Sequence, residues 1–384
     1  MNEWILPPPT LVDTKELFNE MYEHLRYASL LAVDTESNSL YAYTERVCLI
    51  QFSVPSHDYL VDPLALDDLS PLGTLFADPQ IEKVFHAAEY DVMVLRRDWG
   101  FSFANLFDTM IASRIVGWKP YGLGELLKKH FGIDTDKRMQ RTDWGKRPLS
   151  SEQVRYAQLD THFLLPLRDK LVAELGAQKR LKEAQAAFEQ VAQSEWRGHK
   201  FDADDFWRIK GTGELDPVGR AVLRALYVYR EERARAMNRP PFKVFSDQLL
   251  VQLSERRPTT LAELEQIKGL PRHMSPQHSR QLLHIIAHAA EQPIPHRPPF
   301  NHTQRPLPAV EKRYETLRTW RRQQSEARGV EPDVILSNAT LLKLARRNPT
   351  SLVELEATAI LNDWELETYG EELAALLANH QNEK

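Results

Sequence analysis

The spacing of apolar residues changes period along the chain, and each change marks a new element. Between residues 13 and 26, Leu17, Met21 and Leu25 recur every fourth position, which lines them up on one face of a helix. The run Leu30-Leu31-Ala32-Val33 has no polar interruption and reads as a buried strand, ending abruptly in Asp34-Thr35-Glu36. Two further runs, 46–54 and 59–61, are rich in β-branched and aromatic residues and are closed by Pro55 and Pro63. They predict an antiparallel meander. Helical and strand patterns then alternate: helix 69–77, strand 83–86, helix 90–99 stopped by Gly100, a short apolar stretch 106–109, helix 110–116, and helix 123–130 stopped near Gly132. Ser150 with Gln153 three positions on predicts a capping box, opening a long helix through Tyr156, Asp160 and Leu164 that Pro166 should kink, unless it sits near a break that tolerates it. Three strands followed by alternating strands and helices imply an α/β domain with a mixed sheet.

From residue 216 the strand signals fade and a helical repeat begins. An offset of 91 aligns Leu226 with Leu317, Arg230 with Arg321, Ser246 with Ser337 and Leu250 with Leu341. It also aligns Leu261-Ala262-Glu263-Leu264-Glu265 with Leu352-Val353-Glu354-Leu355-Glu356. Between the copies, six prolines fall within residues 293–308, a composition that stays extended and stiff. The expected organisation is an α/β domain with connector over 1–215, a first helical domain over 216–292, a linker over 293–308 and a second helical domain over 309–384.

Composition changes this picture in two respects. The start, Met1-Asn2-Glu3-Trp4, lacks the basic and apolar pattern of a signal peptide, no window reaches membrane-span length, and a single cysteine excludes an internal disulfide. A cytoplasmic protein with no membrane partner is expected, and a monomer. The net charge of −5 is unevenly divided. Residues 1–215 carry 25 Lys and Arg against 33 Asp and Glu, whereas 216–292 carry 12 against 8. The acidity therefore concentrates where carboxylates holding cations would be counted as bare charge.

Three acidic motifs share the first domain. Asp34 and Glu36 would stand on one face of a strand; Asp91 falls where strand 83–86 gives way to a helix; Tyr156 and Asp160 share a helical face at i, i+4. Singly, each has an ordinary explanation: a solvated turn, a first-turn carboxylate favoured by the helix dipole, a surface Asp beside a half-buried Tyr. Together, and in this order, they suit divalent cations held by oxygen ligands. Lys128, Lys129, Lys137, Arg138, Arg141, Lys146 and Arg147 precede the Tyr156 helix closely, forming either a solvated loop or a phosphate track. His86 and Cys48 read as structural.

With these motifs assembled, residues 20–195 resemble the DEDD superfamily of 3′ to 5′ exonucleases, in the branch whose third motif carries Tyr, and within it the ribonuclease D family. Phe107-Asp108-Thr109, Arg141-Thr142-Asp143-Trp144 and Arg147-Pro148-Leu149-Ser150 extend the likeness. The repeats resemble the HRDC (helicase and RNase D C-terminal) domain at Tyr229-Arg230-Glu231-Glu232, Asn238-Arg239-Pro240-Pro241 and Arg257-Pro258-Thr259-Thr260. The second copy departs from the first, with Ala359-Ile360-Leu361 in place of Lys268-Gly269-Leu270.

The resemblance implies an RNase H-like exonuclease domain with a mixed sheet followed by two all-α HRDC domains. It implies catalysis by Asp34, Glu36, Asp91, Tyr156 and Asp160, with two divalent ions, Mg or Mn, held by Asp34, Glu36, Asp91 and Asp160. Tyr156 would orient the attacking water and Glu36 would accept a hydrogen bond from the terminal 3′-hydroxyl. Lys137, Arg141, Arg147 and Arg230 are the expected substrate-binding residues, and RNA, tRNA precursors above all, the expected partner. A 3′ to 5′ DNA exonuclease and a non-catalytic RNA-binding scaffold remain as alternatives.

Overall fold

In the computed structural model, which describes residues 6–196, 198, 200–271, 274–293, 295 and 307–379, the Leu30 run becomes an interior strand of a six-stranded sheet. The strands are β1 (Thr10–Val12), β2 (Leu30–Ser37), β3 (Val47–Val54), β4 (His57–Val61), β5 (Glu82–Phe85) and β6 (Leu106–Asp108), in the order β1-β4-β3-β2-β5-β6. The meander β2-β3-β4 is antiparallel as expected. β5 and β6 add in parallel beside β2, so the sheet is mixed. β1, which pairs in parallel with β4, was not anticipated: three residues behind a proline run carry no periodicity, and only the partner strand makes them a strand.

Helices cover the sheet: α1 (Lys15–Leu25), α2 (Leu72–Ala77), α3 (Glu89–Trp99), α4 (Thr109–Ile115), α5 (Leu123–Phe131), α6 (Ser151–His162), α7 (Leu164–Ala177) and α8 (Leu181–Ala192). The expected break near Pro166 falls at Phe163, between α6 and α7. Pro166 then occupies the first turn of α7, where a missing N–H leaves no bond unmade. One apolar core runs from Val12 through Leu31, Val33, Phe52, Val84 and Leu95 to Leu167 and Phe188.

The helical repeats form α9 (Pro217–Ala236), α10 (Pro241–Val244), α11 (Asp247–Arg256), α12 (Leu261–Glu265) and α13 (Pro276–Ala290), then α14 (Pro308–Arg328), α15 (Pro332–Ile335), α16 (Asn338–Arg347), α17 (Leu352–Ala357) and α18 (Asp363–Ala378). The 91-residue offset survives in detail. Arg230 donates to the Phe245 carbonyl and to Asp247, and Arg321 donates to the Leu336 carbonyl and to Asn338. Each guanidinium therefore ties a long first helix to the start of the third.

The chain divides into two compact units. One joins residues 1–37 and 47–196 with 303–384, so the second repeat belongs with the sheet domain. Arg328 of α14 pairs with the buried Glu183 of α8, and Arg114 of α4 reaches Glu331 at 3.1 Å. A Cβ on Gly117, whose φ of +79° lies in the left-handed region, would lie 2.9 Å from the Gly329 carbonyl oxygen, so backbone approaches backbone there. The other unit joins 197–302 with residues 38–46: Tyr43 donates to Glu231, and the Lys243 ammonium sits 3.4 Å from the centroid of the Tyr41 ring. The proline-rich linker falls largely outside the described residues.

Candidate active site

The site forms near the C-terminal end of β2, where pairing with β5 has ended and pairing with β3 continues. Asp34 and Glu36 project to one face of the strand and Thr35 to the other. The register sets Asp34 opposite Gln51 and Glu36 opposite Leu49 on β3. α6 brings Tyr156 and Asp160 to the same place, one helical turn apart. Oxygens of Asp34, Glu36 and Asp160 all lie within 4.8 Å of one another.

α6 is held firmly for this task. Ser150 and Gln153 complete the expected capping box. Further along, Gln158 and His162 both hydrogen-bond the buried Asp58, at 2.6 and 2.9 Å, and Ser53 of β3 donates to Thr161 at 2.7 Å. The fully buried Trp144 ring packs 6.2 Å from that of Tyr156.

Asp91 arrives in the first turn of α3, buried but outside the tight group. Thr35 Oγ1 donates to its Oδ1 at 2.5 Å, so the residue between the two strand carboxylates fixes the third. Sequence reading passed over Thr35, because alternation alone gives its face and not its partner.

The electrostatics are those of crowded, dehydrated anions. Burial first, then repulsion from Asp91, Asp160 and Glu36, pushes Asp34 well above the usual carboxylate range. Glu36 is raised for the same reasons, burial first and then Asp160 and Asp91. Burial takes Asp91 to about 7, although the Thr35 hydrogen bond works against it. Asp160 rises to about 8, again mainly by burial, with Tyr156 hydrogen-bonding in opposition. Burial and the three neighbouring carboxylates raise the Tyr156 phenol, so it stays protonated at any working pH. The clustered donors are all carboxylate oxygens, a set that fits a hard divalent cation.

A cavity of about 470 Å³ opens over these groups, a size that accepts a small-molecule-sized moiety. Asp34, Glu36, His86, Tyr156 and Asp160 line one part; Lys137, Gln140 and the start of α5 line another. Gly124 in that start packs closely on Thr135, since a Cβ there would lie 2.5 Å from Thr135 Oγ1 and force a shift.

The expected substrate-binding residues fare unequally. Lys137 does line the cavity, its ammonium 3.5 Å from Glu125. Arg141 is exposed on the one-turn helix Met139–Arg141, away from the cavity lining. Arg147 requires correction: its guanidinium pairs with Asp62 and donates to the carbonyls of Trp144, Lys146 and Cys48. It fastens the Trp144 segment instead of offering donors to a ligand. Arg230 is corrected likewise, since it is buried and bound to Asp247 and Phe245. Its match to Arg321 across the repeat was the available signal, because a position shared by both copies is more simply a packing position.

The matches to known proteins agree with this geometry. Residues 9–176 match a 3′–5′ exonuclease family model, and 219–286 and 310–377 each match the HRDC domain. The chain is 34% identical to Protein RRP6-like 3 of Arabidopsis thaliana over 66% of its own length and 31% of that protein. It is 28% identical to ribonuclease D of Gluconacetobacter diazotrophicus over 96% of its length and 93% of that enzyme. The Escherichia coli RNase D crystal structure, described as an exoribonuclease involved in structured RNA processing, superposes with a TM-score of 0.66 at 25% identity, covering 97% of this chain and 99% of that one. The chain spans about a third of Protein RRP6-like 3 and of the nematode relative it matches, but nearly all of two bacterial ribonuclease D enzymes. With the exonuclease match, two HRDC matches and near-complete coverage of those bacterial enzymes, the chain is similar to ribonuclease D over almost its whole length.

Proposed function

We propose that this protein is a 3′ to 5′ exoribonuclease that removes nucleotides one at a time from RNA 3′ ends, releasing 5′-monophosphates, with structured precursors such as tRNA as its substrates. The observation that carries the reading is the group of three carboxylates within 4.8 Å, with Tyr156 beside it in one cavity. Asp34, Glu36 and Asp160, with Asp91 behind them, would hold divalent ions, Mg or Mn. When bound, such ions acidify water and neutralise charge on a phosphodiester.

The protein's own groups do the rest. Tyr156, a neutral phenol held between Trp144 and Asp160, orients the attacking water by hydrogen bonding, since a phenol raised above its usual range is no free base. Glu36 accepts a hydrogen bond from the terminal 3′-hydroxyl and so restricts cleavage to chain ends. Lys137, exposed at the cavity, meets incoming phosphate. In the first repeat, Arg224 and Arg239 are exposed, and that repeat serves as the RNA arm. The single, buried Cys48 fits work in a reducing compartment such as the cytoplasm, and no helix among the described residues is long and apolar enough to cross a membrane.

The test is a 5′-labelled RNA, its DNA counterpart and a 3′-blocked RNA, each incubated with Mn²⁺ or with EDTA. Stepwise shortening of the free RNA end, abolished by EDTA and by Asp34→Asn, is expected. Internal cutting, preferential DNA degradation or turnover by Asp34→Asn within tenfold of wild type would overturn the proposal.

A further inference from the structure

His86 stands at the end of β5, and its surroundings give it more than a packing role. β2 and β5 pair in parallel, with Ala32 abreast of Val84. Asp34 comes two residues further along β2, and His86 directly follows Phe85, the last residue of β5. Both line the same cavity.

The ring is fixed from behind. Thr109 Oγ1 donates its one hydrogen to the Phe85 carbonyl at 2.9 Å and lies 2.9 Å from His86 Nδ1. With that hydrogen engaged, the threonine oxygen can only accept from the ring. Nδ1 therefore carries the proton and Nε2 presents a lone pair. Nε2 has no hydrogen-bond partner among the described residues and is not sealed from the cavity. Burial also lowers the His86 pKa to about 4, so the ring remains a neutral acceptor.

The backbone beside it is held at some expense. Ala87 has φ 63°, in the left-handed region that alanine disfavours. Asp108 stabilises this kink by accepting from the Ala87 and Ala88 amides at 3.1 and 2.7 Å. Asp108 and Thr109 together thus orient one imidazole, and sites of this kind persist where the surroundings over-determine them.

We propose that His86 Nε2 accepts a hydrogen bond from the 2′-hydroxyl of the 3′-terminal ribose and is the residue by which the site prefers RNA to DNA. Besides Lys137 and Gln140, the polar groups of the cavity include carboxylates that would hold cations or, at Glu36, accept from the 3′-hydroxyl. A neutral acceptor is what a sugar hydroxyl needs beside them, and the 2′-hydroxyl is the group that distinguishes the two polymers. This inference rests on the exoribonuclease reading above.

The experiment compares kcat/KM for an RNA oligonucleotide and for the same RNA ending in a single 2′-deoxynucleotide. Wild type, His86→Phe, which keeps the ring without an acceptor, and His86→Gln, which restores an acceptor near Nε2, are measured on both. Wild type is expected to prefer the ribose end by about tenfold, in line with loss of one hydrogen bond to a buried polar group. His86→Phe should lose about tenfold on the ribose end and less than twofold on the deoxy end, erasing the preference; His86→Gln should recover part of it. Mn²⁺ affinity by calorimetry should be the same in all three. Equal losses on both ends, an unchanged preference, or weakened Mn²⁺ binding would overturn the proposal, and if His86→Phe does not fold, the preference of His86→Gln decides. Failure of wild type to shorten either RNA would instead overturn the exoribonuclease reading itself.

Discussion

Replacing Asp160 by Asn should stabilise the metal-free protein while abolishing its hydrolytic activity. Asp160 is buried among Asp34, Glu36 and Asp91, and its carboxyl is displaced from 3.8 to about 8. Each pH unit corresponds to about 1.4 kcal/mol, so holding the group ionised at pH 8.5 costs on the order of 6 kcal/mol in a sealed site. The cavity admits water and salt, which reduces this, and about 1–2 kcal/mol is expected from the isosteric amide. At roughly 2–4 °C per kcal/mol for a domain of this size, the melting temperature in EDTA at pH 8.5 should rise by about 2–8 °C.

The pH dependence has a definite sign. Below pH 4 the carboxyl is protonated in folded and unfolded chains alike. Between about 4 and 8 the folded state keeps a proton that the unfolded chain has released, so stability falls as pH rises. The advantage of Asp160→Asn over wild type should therefore be small near pH 5 and grow up to pH 8.5. Mn²⁺ should reverse the order, because a cation bound only by the folded state stabilises it by mass action and the variant lacks one of the charged ligands. Thermal melts of both proteins from pH 5 to 8.5, with EDTA or Mn²⁺, measure all of this. A variant less stable than wild type in EDTA at pH 8.5, or one that gains equally from Mn²⁺, would refute the reasoning.

Three other outcomes are expected. Tyr156→Phe keeps the ring packed on Trp144 but removes the hydroxyl, so kcat should fall about 10²-fold with KM little changed; undiminished turnover at saturating metal would make Tyr156 structural. Arg328→Met leaves the buried Glu183 without its partner and should destabilise the unit by about 3–5 kcal/mol in urea unfolding, with Glu183→Gln restoring part of it. Replacing Arg224 and Arg239 together by Gln should lower the slope of log affinity against log salt for a tRNA-sized ligand by up to about 2, because fewer counterions are released; an unchanged slope would mean that this face is not the RNA arm.

The sequence by itself determined much of this protein. The apolar run into Asp34-Thr35-Glu36, the meander, the capped Ser150 helix and the helical repeat were legible because local periodicity and capping chemistry act over a few residues. Motif order in one domain was likewise enough to expect that Asp34, Glu36 and Asp160 meet. What only the tertiary structure decided depends on groups distant in the chain. β1 exists through its pairing with β4. Arg147 looked like a phosphate contact until Asp62, 85 residues away, engaged it. Asp91 is set by Thr35, and His86 is given its tautomer by Thr109. The second repeat joins the sheet domain through Glu183 and Arg114, residues that no local pattern marks. A side chain's partner is fixed by packing in three dimensions, whereas periodicity reports only which face of its own element it occupies.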